Sequence, residues 1–177
     1  VGEDLVERQW GDRLIRGWNE HWLDAPVRLG AKIAPLIGAH PDEVIVADSP
    51  TINFFKLSVA ALKHQRDRTQ IVSDDLNFPS DLHSLAQSVA LLDVGHEISM
   101  IRSKDGMTSS VPEVAAAMSH DTALLTLSHV AFKSGFMYDM AGVTAAAHEV
   151  GALTLWDLSH SVGAVDVRLN DCDADLA

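Results

Sequence analysis

Cysteine is almost absent. Cys172 stands alone among 177 residues, so an intrachain disulfide is impossible and thiolate metal cages are excluded. This usage fits a reducing compartment, and a cytoplasmic location is expected. Basic residues are scarce as well: 13 Lys and Arg face 25 Asp and Glu, for a formal net charge of −12. That balance argues against nucleic acid or an anionic membrane as a partner. No apolar run approaches the roughly 18 residues of a membrane span. The amino terminus, Val1-Gly2-Glu3-Asp4, lacks the basic stretch of a secretory signal. An initiator methionine is missing too, and the chain stops at Leu176-Ala177 without a turn or cap, so a fragment of a longer protein is expected. Internal repeats are absent. No G-x-G-x-x-G or P-loop supports nucleotide binding, and no G-x-S-x-G elbow supports a hydrolase nucleophile. No H-x-x-x-H or H-E-x-x-H spacing supports zinc, so no metal is expected. His64, His96, His120 and His148 lie among polar neighbours and read as solvated.

What remains is an ordinary globular composition, 47% hydrophobic and 21% charged, long enough for one real core. Residues 1–22 read as an amphipathic helix carrying Trp10, Trp18 and Trp22. Val27 to Ile37 repeats its apolar residues at helical spacing and stops at Gly38. Short apolar runs follow at Val44–Ala47, Gln70–Val72, Ile98–Ile101, Ala123–Leu127 and Ala152–Trp156. Helical patterns separate them at Ile52–Leu62, Ser80–Leu92, Val111–Met118 and Met140–Val150. This alternation predicts an α/β fold with a mostly parallel sheet. The strands are apolar throughout, as expected when helices cover both faces. The expected division is an N-terminal helical segment, 1–40, and an α/β domain, 41–177.

Chemistry concentrates in the loops after the strands, where open α/β sheets bind ligands. The run Ala152–Trp156 ends in Asp157, and His160 follows three residues later. A carboxylate delivered there needs a cationic partner, because an unpaired buried charge is costly. The protonated ring nitrogen of pyridoxal phosphate (PLP) is one such partner; a structural Asp–His pair is the plainer alternative. Ser49-Pro50-Thr51 suits a helix start, where free amides and the dipole favour phosphate, although an ordinary cap would look the same. In Asn77-Phe78-Pro79-Ser80-Asp81, Phe78 is an apolar aromatic in a polar loop, either a face for a flat ring or a plug in the core. Ser128 ends the run Ala123–Leu127 and is either a ligand contact or a cap.

Taken together, four segments resemble kynureninases, PLP enzymes of fold type I in the aminotransferase class V group. They are Asp48-Ser49-Pro50-Thr51-Ile52-Asn53-Phe54-Phe55-Lys56, Asn77-Phe78-Pro79-Ser80-Asp81, Ser128-His129-Val130-Ala131-Phe132-Lys133-Ser134-Gly135 and Trp156-Asp157-Leu158-Ser159-His160-Ser161-Val162-Gly163. The stretch Arg16-Gly17-Trp18-Asn19-Glu20-His21-Trp22 is similar to bacterial members. The resemblance implies an incomplete PLP-dependent transferase-like large domain. It places Pro50 and Thr51 at the cofactor phosphate, and Phe78 on the pyridine ring with Pro79, Ser80 and Asp81 completing that loop. It puts Ser128 in the cofactor's surroundings, Asp157 on the ring nitrogen and His160 in support. Related cysteine desulfurases carry His and Gln where Phe78 and His160 stand.

The activity implied is hydrolysis of L-kynurenine, or its 3-hydroxy form, to anthranilate and L-alanine in tryptophan catabolism, by a homodimeric parent protein. Two alternatives stand beside it: another class V reaction, such as cysteine desulfuration or transamination, and a non-catalytic α/β binding module. The family's Schiff-base lysine is expected beyond Ala177, since Lys32, Lys56, Lys63, Lys104 and Lys133 occupy other positions; no catalytic residue is therefore expected within the chain. Pro50 departs from the Ser or Thr of bacterial members and has no N–H to offer.

Overall fold

A computed structural model describes residues 2–177; Val1, the first residue of the expected N-terminal helix, lies outside the described residues. The chain divides into two compact units, 1–47 and 48–177.

In the first unit the expected continuous helix over 1–22 is replaced by irregular turns. Wide π-type turns cover Asp4–Arg13, a tight 3₁₀ turn covers Leu14–Gly17, and a second π-type stretch covers Trp18–Trp22. Leu14, at φ 44°, interrupts the helical backbone, a conformation costly for a branched side chain. Helix α1, Ala25–Ile33, begins with Pro26 in its first turn and runs into a 3₁₀ turn, Ala34–Leu36. The expected strand Val44–Ala47 does not form. In this segment Val46 N–H donates to Pro26 C=O at 3.2 Å, and Ile45 is 64% exposed. β propensity needs a neighbouring strand to act on; here the chain instead runs against α1, where a Cβ at Gly30 would meet the Val44 carbonyl oxygen at 1.9 Å.

The second unit is the parallel α/β layer expected from the alternating pattern. Its elements are α2 (Pro50–His64), β1 (Gln70–Asp74), α3 (Pro79–Leu92), β2 (Glu97–Ile101), α4 (Val111–Ala117), β3 (Thr122–Ser128), α5 (Met140–Glu149) and β4 (Leu153–Asp157). All pairings are parallel, in the order β2-β1-β3-β4. All seven residues of β3 are buried, as two covered faces require. Phe54, Ala61, Leu62, Ile71, Leu85, Ala123, Leu124 and Leu155 form a core between the sheet and helices α2 and α3. Trp156 is buried too, and its indole N–H donates to Thr144 of α5 at 3.3 Å.

The connection from β1 leads outward to β2, and the chain then crosses back over β1 to reach β3. That reversal is a topological switch point, where the loops beyond the strands part and leave a crevice. The ends of β1, β3 and β4 share that side of the sheet.

Candidate functional site

Strand β4 carries Asp157 to the crevice in register with Ser128 of β3. The loop after β4 turns at once: Asp157 Oδ1 accepts from the Ser159 N–H at 2.9 Å and the Ser159 hydroxyl at 2.6 Å. This is an Asx turn of the kind that fixes an aspartate side chain. The backbone carbonyl of Asp157 accepts from His129 N–H at 2.9 Å, which ties the β3 loop to the end of β4. On the other side of the carboxylate, Ser128 Oγ lies 3.2 Å from Oδ2.

Phe78 and Asp81 come from the opposite wall, the start of α3. Phe78 precedes the helix in extended conformation and Pro79 takes its first position, as proline's fixed φ favours. Phe78 is 37% exposed, so it is not a core plug. Its ring is held edge-on by Phe132, with centroids 5.0 Å apart at 76°, and by His160, 5.8 Å away and tilted by 41°. Lys133 Nζ sits 5.3 Å from the Phe132 ring. His160 thus braces the aromatic plate, while Ser159 takes the partner's place beside Asp157.

Asp81, one turn into α3, is buried, and its Oδ2 has no hydrogen-bond partner. Burial first, and the charge of Asp157 second, push its carboxyl up to about 7. Ser80 Oγ is 3.3 Å from its Oδ1. Two neighbouring carboxylates and an orphaned buried oxygen describe a place built for a cation, since such groups otherwise go unpaired only at a cost. A flat, positively charged ring resting on Phe78 fits this donor set. Among the described residues no cluster of three or more His, Cys, Asp or Glu is arranged to hold a metal ion.

Pro50 and Thr51 belong to a different helix start. They form the exposed first turn of α2, where Ser49 Oγ accepts from Ile52 N–H at 3.4 Å. The Thr51 amide is among the first N–H groups of a 15-residue helix, which have no partner within it and favour an anion.

Several residues assigned no role from the sequence turn out to build the site. Asn77 is 2% exposed and uses both ends of its amide. Its Oδ1 accepts from Phe78 N–H at 2.9 Å and lies 2.7 Å from Ser128 Oγ; its Nδ2 lies 3.1 Å from Ser73 Oγ and 3.4 Å from the Thr126 carbonyl. Ser159 was legible as the Asp-x-Ser turn, and Phe132 was not. Behind them Asp74, its carboxyl raised chiefly by burial, accepts a short hydrogen bond from the buried Tyr138 hydroxyl. Two histidines read as solvated are placed otherwise. His96 is buried, and His148 Nε2 lies 2.9 Å from Asp175, because the last segment of the chain bridges to β4 beside it. His64 and His120 are exposed.

Fold and site together define a doubly wound α/β protein whose strand ends hold a carboxylate pair beside an aromatic plate. A family model described as aminotransferase class-V matches residues 27–177, and the chain belongs to that family. It is 41% identical to kynureninase of Pseudomonas fluorescens over 178 residues, which take in 98% of this chain and 41% of that protein. Against kynureninase of Burkholderia mallei the identity is 42% over 180 residues, 99% of this chain and 42% of that one. The chain therefore spans about two-fifths of the length of the curated relatives it matches. Among solved structures, a C-DES variant with glycine covalently linked to its PLP cofactor superposes with a TM-score of 0.76. It is 16% identical, covering 99% of this chain and 46% of that one, and it shares the fold.

Proposed function

We propose that the protein carrying this chain is a PLP-dependent hydrolase of the kynureninase type, cleaving L-kynurenine or its 3-hydroxy form to an anthranilate and L-alanine. The observation that carries the reading is the acid at the tip of β4, whose charge acts on the buried Asp81, in a loop whose His160 lies 5.8 Å from the exposed ring of Phe78. Identity of 41–42% to kynureninases along nearly the whole chain supports it.

When bound, PLP supplies the electron sink that allows a carbon–carbon bond of the substrate side chain to be broken hydrolytically. The chain's own part is binding and polarisation. Asp157 holds the proton on the ring nitrogen, because a carboxylate beside a cation favours the charged form. Phe78 offers one flat face, kept rigid by Phe132 and His160. Pro79 and Ser80 set the α3 turn that presents Asp81. Ser128 fills the gap between the two walls. At the start of α2, Thr51 offers an amide and a hydroxyl to the phosphate, and Pro50 shapes the turn. The lysine that bonds the cofactor belongs to the parent protein, which on this reading is a cytoplasmic homodimer in tryptophan catabolism.

The test is anthranilate fluorescence. The purified parent protein with PLP is expected to release anthranilate from L-kynurenine. Alanine formed from cysteine, with no anthranilate from kynurenine, would overturn the reading in favour of another class V reaction.

A further inference from the structure

We infer that Asn77 is a positioning residue that draws the Ser128 proton away from Asp157 and so spares that carboxylate one hydrogen bond, at Oδ2, leaving more of its charge for the cofactor ring. The inference rests on the PLP reading above. Hydrogen-bond accounting carries it. The orientation of the Asn77 amide is set by two backbone groups of unambiguous character: Phe78 N–H can only donate, and the Thr126 carbonyl can only accept. Oδ1 therefore points to Phe78 N–H, and Nδ2 to Thr126 and Ser73. The Ser73 hydroxyl spends its proton on the Thr126 carbonyl at 2.9 Å and receives Nδ2 on a lone pair. Every hydrogen in this buried group is then assigned.

Ser128 has one hydroxyl proton and two acceptors before it, Asn77 Oδ1 at 2.7 Å and Asp157 Oδ2 at 3.2 Å. The shorter contact takes the proton. Asp157 Oδ2 then faces a lone pair of Ser128, which takes no share of its charge. A hydrogen bond to a carboxylate stabilises its charge and weakens its hold on a second cation, so withholding that bond strengthens the hold on the ring proton. Asp81, from α3, also faces Asp157 and is unchanged in the variants below. The same amide fixes Phe78 through its N–H, so one side chain sets both the plate and the acid.

The experiment uses the parent holoenzyme loaded with ¹⁵N-labelled PLP and follows the ring-nitrogen shift against pH. In Asn77→Ala the Ser128 hydroxyl turns to Asp157, and the ring-nitrogen pKa is expected to fall by about one unit, a tenfold weaker hold on the proton. Ser128→Ala alone is expected to leave it in place. The double variant is expected to regain the wild-type value, because no hydroxyl is left to turn; a purely structural role would not produce that rescue. An unmoved pKa in Asn77→Ala, or a double variant as low as the single one, overturns the proposal. Should Asn77→Ala fail to fold, Ser128→Ala decides alone: a rise of about a unit means that the hydroxyl was donating to Asp157, which overturns it. Wild-type protein that binds no PLP overturns the cofactor reading and this proposal with it, whereas a protonated ring in the wild type with unresponsive variants overturns this proposal only.

Discussion

Asp81 is the residue whose environment departs furthest from what its type prefers. Its carboxyl is pushed from 3.8 to about 7, by burial and then by the neighbouring Asp157. Between those values the folded state keeps a proton that the unfolded chain has released, so stability falls as pH rises through this window. The full penalty, on the order of 4 kcal/mol, is present above pH 7 and absent at pH values below the unfolded pKa. Asp74, also raised by burial, acts in the same direction. Asp81→Asn is expected to flatten the change in unfolding midpoint between pH 4 and 8 without removing it; an unaltered pH slope in denaturant titrations would contradict this. Phe78 makes a separate case. Replacing it with Ala removes the ring face and its packing on Phe132, an aromatic contact worth about 1 kcal/mol. PLP affinity, read by equilibrium dialysis, is expected to drop by at least about fivefold.

At the scale of elements, the sequence announced nearly every strand and helix of the second unit, because buried parallel strands are plain apolar runs and the helices between them keep a 3.6-residue period. The acid ending β4 and the serine ending β3 were legible for the same reason, as polar residues that stop an apolar run. Asn77 was not: a polar residue in a loop gives no sign of burial until the loop is folded back on the sheet. Val44–Ala47 shows the converse error, an apolar β-branched run with no partner strand. The turns over residues 4–22 failed as a helix because Leu14 breaks the backbone. Two substitutions test the element account. Leu124→Ala, in the middle of the wholly buried β3, is expected to cost 2–5 kcal/mol, of order ~3. Ser110→Ala, which removes the capping box with Glu113 at the start of α4, is expected to cost about 1 kcal/mol. Denaturant midpoints report both, and an inverted order would mean that the core is not where the sheet places it.

For the whole molecule, the net charge of −12 and an anionic cofactor are compatible because binding is a local matter. A helix start such as that of α2 favours an anion locally whatever the net charge. Amide hydrogen exchange should rank the parts: the slowest exchange is expected in β1 and β3, which are paired on both sides, and the fastest in residues 4–22, which bury almost nothing. The family was legible across the chain because four segments distant in sequence each keep their residues at a strand end or a helix start.

The most direct measurement is the protonation state of the ring nitrogen in the PLP-loaded parent protein, read from its ¹⁵N shift at pH 8. A pyridinium is expected in the wild type and a neutral pyridine in Asp157→Asn, with turnover of kynurenine lower by on the order of a hundredfold. A neutral ring in the wild type, or one that stays protonated after that substitution, would contradict it.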